Sequence, residues 1–286
     1  METDKKIDLL DPEFWSREWK QAAEESSLHR ITVDEKSWIE FWSSISLSYR
    51  LRTLNEQKMI DEVIGLLIKE GLIHRESVVL DIGSGPGTFA LPLARLVSYV
   101  FALDPASKML DALTEEARGK GLSNIIPLCK RWQETSFERE FDLVLASFSP
   151  AIRSVESLLK MERASRRYCC LITASGAENF KMRNELWEKI FGRPFYSTAF
   201  HVTFPFNYLY ARGLRPNLRF IKQSICYEEP LETLIDWYEN YFKMFVDLND
   251  SNKKIIRQYF KDKANGSMVK VRDERTFSIM CWEVEK

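Results

Sequence analysis

The 286-residue sequence has no surplus of charge of either sign: 41 Lys and Arg oppose 42 Asp and Glu, for a formal net charge of −1. Proteins whose main partner is nucleic acid usually carry a basic surplus, so no nucleic-acid partner is expected. Long apolar runs are also missing. Stretches such as VIGLLI at residues 63–68 are far shorter than the about 20 residues that span a bilayer. The charged first residues lack the apolar core of a signal peptide. We therefore expect a cytoplasmic protein without membrane association.

Metal-ligating residues are scarce as well, with three histidines and five cysteines. The histidines are scattered, and the cysteines are odd in number and fit no zinc spacing. Three cysteines stand within apolar, strand-like runs, which we interpret as reduced thiols of the core. No metal site is expected.

What the sequence does contain is an apolar stretch that runs directly into three alternating glycines, VVLDIGSGPGTFALPLA at residues 78–94. Gly83, Gly85 and Gly87 permit positive φ and let backbone N–H groups approach a ligand closely. The start of the following helix adds a partial positive charge. Taken alone, such a loop is also compatible with a glycine-rich turn that binds nothing.

Two aspartates sharpen the prediction. Asp104 ends the second strand, seventeen residues after Gly87, where a carboxylate can accept two hydrogen bonds from ribose hydroxyls. Asp81 stands just before the loop, where it would repel a diphosphate and attract an ammonium group. The spacing G-x-G-x-G also differs from the dinucleotide pattern. These features indicate a ligand with a ribose and a cation but no phosphate.

Apolar strand candidates alternate with helical segments from residue 78 to residue 175: the strands are VVLDI, YVFALD, IIPLCK, FDLVLASF and YCCLITAS, and the first connecting helix is GTFALPLARLV. Strands that are apolar throughout and separated by helices indicate an α/β fold with a doubly wound, mostly parallel sheet covered on both faces. Before this region, the segment LNEQKMIDEVIGLLIKEGLI carries an apolar stripe and is expected to form a helix that ends at Gly71.

At this point the motifs VLDIGSGPGTFALPLA and VFALDPASKML resemble the first two motifs of class I S-adenosylmethionine-dependent methyltransferases. FDLVLASFSPAI resembles the fourth-strand motif of that family. The resemblance covers roughly residues 55–175 and implies a seven-stranded Rossmann-like sheet, S-adenosylmethionine as cofactor and S-adenosylhomocysteine as product. Arg131 stands about where many members have an acidic adenine contact, so Trp132 is expected to stack on the adenine instead, with packing of this loop aromatic on the sheet edge as the alternative. The residues implied for cofactor binding are Asp81, Gly83, Ser84, Gly85, Gly87, Asp104, Pro105, Met109, Trp132, Gln133, Ser147 and Phe148.

Aromatic residues make up 13% of the chain and cluster before the first strand and after the fifth. We expect them to line a substrate chamber, although packing of helices on the sheet is the alternative for each one. The expected lining residues are Trp38, Trp42, Phe200, Phe204 and Tyr208. His201 and Tyr49 are the candidates for a general base, with a hydrogen-bonded structural role as the alternative for His201.

The expected organisation has four parts: an N-terminal helical cap (1–52), a cofactor-binding core (53–176), a helical substrate cap (177–216) and closing strands and helices of the core (217–286). The predicted function is methyl transfer to a small molecule by a monomer or homodimer. An RNA or protein methyltransferase and a non-catalytic S-adenosylmethionine-binding protein stay open as alternatives.

Overall fold

The computed structural model of the chain describes residues 7–27, 35–46, 49, 56–175, 180–196 and 200–285. In these residues the strands are β1 (Val78–Ile82), β2 (Tyr99–Leu103), β3 (Ile125–Leu128), β4 (Phe141–Ser147), β5 (Ser165–Ala174), β6 (Asn217–Pro230), β7 (Ala264–Asn265) and β8 (Met268–Glu283). The α-helices are α1 (Pro12–Glu25), α2 (Glu35–Ser44), α3 (Gln57–Lys69), α4 (Ala90–Leu93), α5 (Ser107–Gly119), α6 (Val155–Ala164), α7 (Lys181–Phe191), α8 (Thr203–Ala211), α9 (Leu231–Lys243) and α10 (Asp250–Lys261). Within these residues no helix has both the length and the apolar character to cross a membrane.

The strands form a single sheet in the order β3-β2-β1-β4-β5-β8-β6, and the two-residue β7 pairs beside β8. Strands β1 to β5 are parallel, whereas β8 runs antiparallel to both of its neighbours, β5 and β6. The strand order reverses between β1 and β4, which makes the carboxyl ends of these two strands the expected ligand-binding edge. The doubly wound, mostly parallel α/β sheet predicted from the sequence is confirmed.

Helices α3, α4 and α5 cover one face of the sheet. The apolar stripe predicted for α3 is confirmed, because its inward residues Met59, Ile60, Val63, Leu66 and Leu67 are all buried. Gly71 follows the helix with φ of +65°, a left-handed conformation that suits glycine. The helix predicted at GTFALPLARLV is much shorter, since only the four residues of α4 are α-helical.

The other face of the sheet is covered by α1, α6 and α8. Trp19 of α1 is 1% exposed and stacks on Phe204 of α8, with ring centroids 6.4 Å apart. The sequence placed residues 203–211 in the substrate cap. The structure instead packs α8 against α1 and the sheet, because its buried side chains Tyr208 and Leu209 join the apolar cluster on this face.

Strands β6 and β8 form a long two-stranded ribbon that projects past the carboxyl edge of the sheet. They pair from Asn217↔Cys281 to Pro230↔Met268, whereas the pairing of β5 with β8 ends at Ala174↔Phe277. The outer part of the ribbon, residues 222–230 and 268–276, therefore extends above the edge at which the sheet binds ligands.

A third apolar cluster, which we call the cap cluster, lies over this edge. It joins α2, α7, α9 and α10 to the outer ribbon, and its largest fully buried side chains are Trp187, Phe242 and Phe260. The sequence assigned α9 and α10 to the core of the sheet. They lie in the cap instead, because the projecting ribbon carries them beyond the sheet before they pack.

We predict that Trp19→Ala lowers the free energy of unfolding by about 3–5 kcal/mol, because it opens a large cavity between α1 and α8. Denaturant unfolding followed by circular dichroism measures the loss. Tyr210→Ala on α8 is the control, since Tyr210 is 42% exposed and its removal leaves no buried cavity. Equal losses in the two variants would contradict the assigned packing of α1.

Candidate cofactor-binding site

The glycine loop connects β1 to α4 at the carboxyl edge of the sheet. Gly83, Gly85 and Gly87 have φ of +72°, +52° and +93°, which disfavours other residues at all three positions. A Cβ on Gly83 would lie 2.4 Å from Ser149 Oγ, and a Cβ on Gly87 would lie 2.3 Å from a methyl of Leu113. A Cβ on Gly85 would meet nothing within 4 Å. Packing thus requires glycine at both ends of the loop, while its middle faces open space that a ligand can approach.

Asp104 is held directly against this loop. The N–H groups of Gly85 and Ala106 donate to its two carboxylate oxygens at 3.0 and 2.8 Å. Gly83 N–H also donates to the carbonyl oxygen of Leu103, at 2.8 Å, so the loop is tied to the end of β2. Burial raises the pKa of Asp104, while the two backbone N–H bonds oppose that change. A carboxylate has about four acceptor positions, which leaves room for the ribose hydroxyls.

Asp81, the last charged residue before the loop, is almost fully buried. Burial and the nearby charge of Asp104 raise its pKa to about 7, against a smaller opposing effect of the Ala90 N–H. Its Oδ2 is buried and accepts no hydrogen bond. A buried carboxylate oxygen without a donor is costly, and an ammonium group beside it would supply both donors and compensating charge.

Ser84, Pro105 and Met109 complete the edge around the loop. The buried hydroxyl of Ser84 has no hydrogen-bond partner. Met109 on α5 is 1% exposed, because the cap cluster packs over it together with Ala106. The carboxyl edge beside Asp104 is thus roofed by cap side chains.

These features fit S-adenosylmethionine. The open side of Gly85 admits the methionine portion, the free oxygen of Asp81 suits its ammonium group, and the remaining acceptor positions of Asp104 suit its ribose. These roles are what the resemblance implies for the three residues, and the geometry is compatible with each of them.

Trp132 and Gln133 lie in a short 3₁₀ turn that follows β3. The Trp132 ring is buried among the side chains of the α1, α6 and α8 face, and the Lys160 ammonium lies 4.8 Å from its centroid. Lys160 also donates to the carbonyl oxygens of Trp132 and Gln133. Arg131 forms an ion pair with Glu134. This packing favours the alternative in which Trp132 packs on the sheet, although the ring is more buried than a loop aromatic at the sheet edge would be, and adenine stacking stays a prediction.

Ser147 and Phe148 stand where β4 ends. Phe148 has φ of +47°, a conformation that costs a non-glycine residue on the order of 1–3 kcal/mol and that is enriched at functional sites. Its backbone N–H donates to the carbonyl oxygen of Ile172 on β5 at 2.9 Å, and the centroid of its ring lies 6.3 Å from that of the Phe277 ring. The side chain is 42% exposed. The chain therefore holds an aromatic ring at the edge despite the backbone strain.

The predicted lining residues are divided between two locations. Trp38 packs against Phe245 and Trp42 against Tyr49, with ring centroids 5.9 and 5.4 Å apart, and all four belong to the cap cluster. Phe204 and Tyr208 lie on the sheet face with α1, as described above. Phe200 is half-buried. The structure brings Trp38 and Trp42 together in the cap cluster but does not join them to α8.

His201 uses both of its ring nitrogens. Nε2 lies 3.1 Å from the carbonyl oxygen of Ser175, to which it must donate, and Nδ1 lies 2.7 Å from Thr203 Oγ1. In the neutral ring Nδ1 is then the acceptor, so no lone pair is free for a substrate proton. This arrangement favours the structural alternative, in which His201 anchors the start of α8 to the end of β5.

Ser149 was missed by the sequence analysis. It lies within the fourth-strand motif FDLVLASFSPAI, just after β4, and its side chain fills the space beside Gly83. The second serine of SFSP was the available signal, because the carboxyl ends of β1 and β4 must meet at the reversal of strand order.

We predict that Gly85→Asp folds normally but loses affinity for S-adenosylmethionine. The new side chain has space, and Asp tolerates positive φ better than most residues, but it places a second negative charge and bulk where the ligand would lie. Titration calorimetry measures binding and thermal unfolding measures stability. Wild-type affinity in this variant would contradict the assigned cradle.

We predict opposite effects of Asp81→Asn on stability and on binding. Because the folded pKa of about 7 exceeds the ordinary 3.8, Asp81 contributes stability that is full below the ordinary value and is lost as pH rises through 7. The difference between these two pKa values corresponds to at most about 4 kcal/mol in the free energy of unfolding. The variant should therefore be more stable than the wild type at about pH 8 and equal to it near pH 4.

The same variant should bind S-adenosylmethionine more weakly, because the ammonium loses its carboxylate. Wild-type affinity should likewise fall as pH drops below about 7 and Asp81 takes up a proton. Denaturant unfolding and calorimetry across this pH range provide the measurements. The exposed Asp111→Asn is the control. If Asp81→Asn were less stable than the wild type at about pH 8, the assignment of Asp81 as a buried carboxylate that destabilises the folded chain would be wrong.

Comparison with known proteins agrees with this geometry. A family model described as a methyltransferase domain matches residues 79–168. An uncharacterized protein from Haemophilus influenzae is 27% identical over 239 residues, which cover 80% of this chain and 87% of that protein.

Among solved structures, magnesium protoporphyrin IX methyltransferase from Synechocystis, determined with bound S-adenosylhomocysteine, is similar with a TM-score of 0.53. It is 14% identical, and the match covers 86% of this chain and 99% of that one. The YcgJ protein from Bacillus subtilis matches with a TM-score of 0.51 and 16% identity, over 78% of this chain and 97% of that one. At these identities the two structures show the fold.

The motifs, the doubly wound sheet, the glycine loop with its two aspartates and the matching family model agree with one another. Residues 79–168 therefore form a methyltransferase domain, and its glycine loop and two aspartates fit S-adenosylmethionine as the cofactor.

Proposed function

We propose that the protein transfers the methyl group of S-adenosylmethionine to a small molecule held between the carboxyl edge of the sheet and the cap. The observation that carries this proposal is the burial of Ala106 and Met109 under the cap cluster. These residues follow Asp104 at the cofactor edge. An edge roofed by packed side chains favours a small acceptor over an RNA strand or the surface of a folded protein.

The chemistry follows from this enclosure. S-adenosylmethionine supplies a methyl group activated by a positively charged sulfur. The chain itself would bind and orient: the loop and Asp81 fix one end of the cofactor, and Asp104 fixes the sugar. Alignment of this kind can contribute about 7–11 kcal/mol in well-oriented reactions. The cap would exclude water from the reacting atoms.

Phe148 would border the acceptor at the end of β4. Its exposed ring and positive φ support a role in shaping the site, and aromatic faces attract a cationic sulfur. We assign proton removal to neither predicted base. His201 has no free lone pair, and Tyr49 packs against Trp42 within the cap cluster.

Two further facts support a small acceptor. The balanced charge of the chain provides no general attraction for RNA. The fold also serves such acceptors elsewhere, since the similar Synechocystis enzyme is named for magnesium protoporphyrin IX, a small molecule.

The test offers methyl-labelled S-adenosylmethionine and the protein to three separate pools: an ultrafiltered metabolite extract, total RNA and denatured total protein. We expect label only in the metabolite pool, and none with Gly85→Asp. Label in RNA or in protein would replace the proposal with one of those acceptor classes. Calorimetric binding of the cofactor without label in any pool would indicate a non-catalytic binding protein.

A further inference from the structure

A band of polar side chains crosses the inner face of the β6–β8 ribbon. Alternate residues of β8 share this face. Val269 and Val271 join the cap cluster, and Phe277 joins the core between the sheet and α3. Between these apolar ends stand Asp273 and Arg275. The same face of β6 places Gln223 opposite Arg275. The band, defined as Gln223, Asp273 and Arg275, therefore lies where the cap meets the sheet.

Two acceptor atoms of the band are buried and accept no hydrogen bond. Gln223 is 7% exposed, and its Oε1 has no partner. Asp273 accepts from Arg275 Nε at 2.7 Å through Oδ2, but its Oδ1 has no partner. Buried acceptors are nearly always satisfied by protein or by a bound molecule. Both atoms therefore require a donor that the described protein does not provide.

Among the side chains paired directly with the band, carboxylates outnumber guanidiniums. Arg275 also pairs with Glu56 at 2.6 Å, so two carboxylates, Glu56 and Asp273, share one guanidinium. Arg183 also lies near the Phe180 ring, 4.6 Å from its centroid, and its guanidinium hydrogen-bonds to Asn184 and Tyr241 rather than to the band. A donor that carries positive charge would satisfy the unpaired oxygens and balance the extra carboxylate.

The band borders the proposed acceptor site. Arg275 is two residues from Phe277, a separation of about 7 Å along a strand. The Phe277 ring in turn lies 6.3 Å from Phe148 at the end of β4. A small molecule against Phe148 can thus extend along the ribbon to the band.

We propose that the band binds a protonated amino group of the methyl acceptor, which donates hydrogen bonds to Gln223 Oε1 and Asp273 Oδ1. The inference rests on the proposed function and narrows its substrate class to amine-bearing small molecules. The amino group bound here anchors the acceptor, and no transfer to that nitrogen is implied.

The first test separates a binding role from a structural one. Gln223→Leu removes an unsatisfied buried acceptor, so we expect an unchanged or raised melting temperature. The apparent KM for the acceptor, measured with methyl-labelled S-adenosylmethionine and serial dilutions of the ultrafiltered metabolite extract, should rise about tenfold or more, as for a lost hydrogen bond to a charged group, with little change in S-adenosylmethionine affinity. Ser224→Ala, on the exposed opposite face of β6, is the matched control. A lowered melting temperature with an unchanged KM would overturn the proposal.

The second test identifies the acceptor class directly. The ultrafiltered metabolite extract is divided at about pH 2, where carboxylates are protonated and amines stay cationic, into fractions retained by a strong cation exchanger, retained by an anion exchanger, or retained by neither. We expect methyl label in the fraction retained by the cation exchanger, and less label with Asp273→Asn or Gln223→Leu. Label confined to the other two fractions would overturn the amine assignment while leaving small-molecule methylation intact. No label in any fraction would overturn both the amine assignment and the proposal of small-molecule methylation.

Discussion

The buried carboxylate of Asp81 is the constraint around which the site is built. Burial and the charge of Asp104 make ionisation of Asp81 unfavourable, and one of its oxygens has no donor. A protein selected only for stability would replace this group with an apolar or amide side chain. The cost is understandable if the group binds a positively charged ligand, because the ligand then supplies what the folded chain lacks. The glycine loop serves the same end: its outer glycines are demanded by packing, and the middle one is left open.

The same relation between stability and binding recurs away from the cofactor. Phe148 keeps a strained backbone to hold its ring at the sheet edge, and the inner face of the ribbon buries the unsatisfied oxygens of Gln223 and Asp273. All three features lie along the boundary between sheet and cap. Sites at which local rules are violated are those at which function is most often found. The cap, in turn, gives the boundary its enclosure, because its aromatic cluster packs on Ala106 and Met109.

Much of the part that would bind the cofactor, namely β1 to β5, α3 and the glycine loop, could be predicted because it is specified by sequence patterns a few residues long. Apolar runs gave β1 to β5, the stripe of α3 gave its buried face, and glycines with positive φ were identifiable from their spacing. The cap and the proposed acceptor site could not be predicted, because they depend on contacts between segments that are distant in the sequence. Trp38 and Phe204 look alike in the sequence, yet one packs in the cap and the other on the sheet. His201 looked like a base until Ser175 and Thr203 were found to engage both nitrogens.

The sequence by itself determined the parallel sheet, the glycine loop and the position of the two aspartates, since hydrophobic pattern and backbone freedom act over a few residues. Only the tertiary structure decided that β6 and β8 extend beyond the sheet and carry α9 and α10 over its edge. The length of the β6–β8 ribbon depends on pairing between strands some fifty residues apart in the sequence, and no local sequence pattern predicts where that pairing ends. That long-range pairing is also what places Gln223 beside Arg275 and sets a polar band next to the cofactor edge.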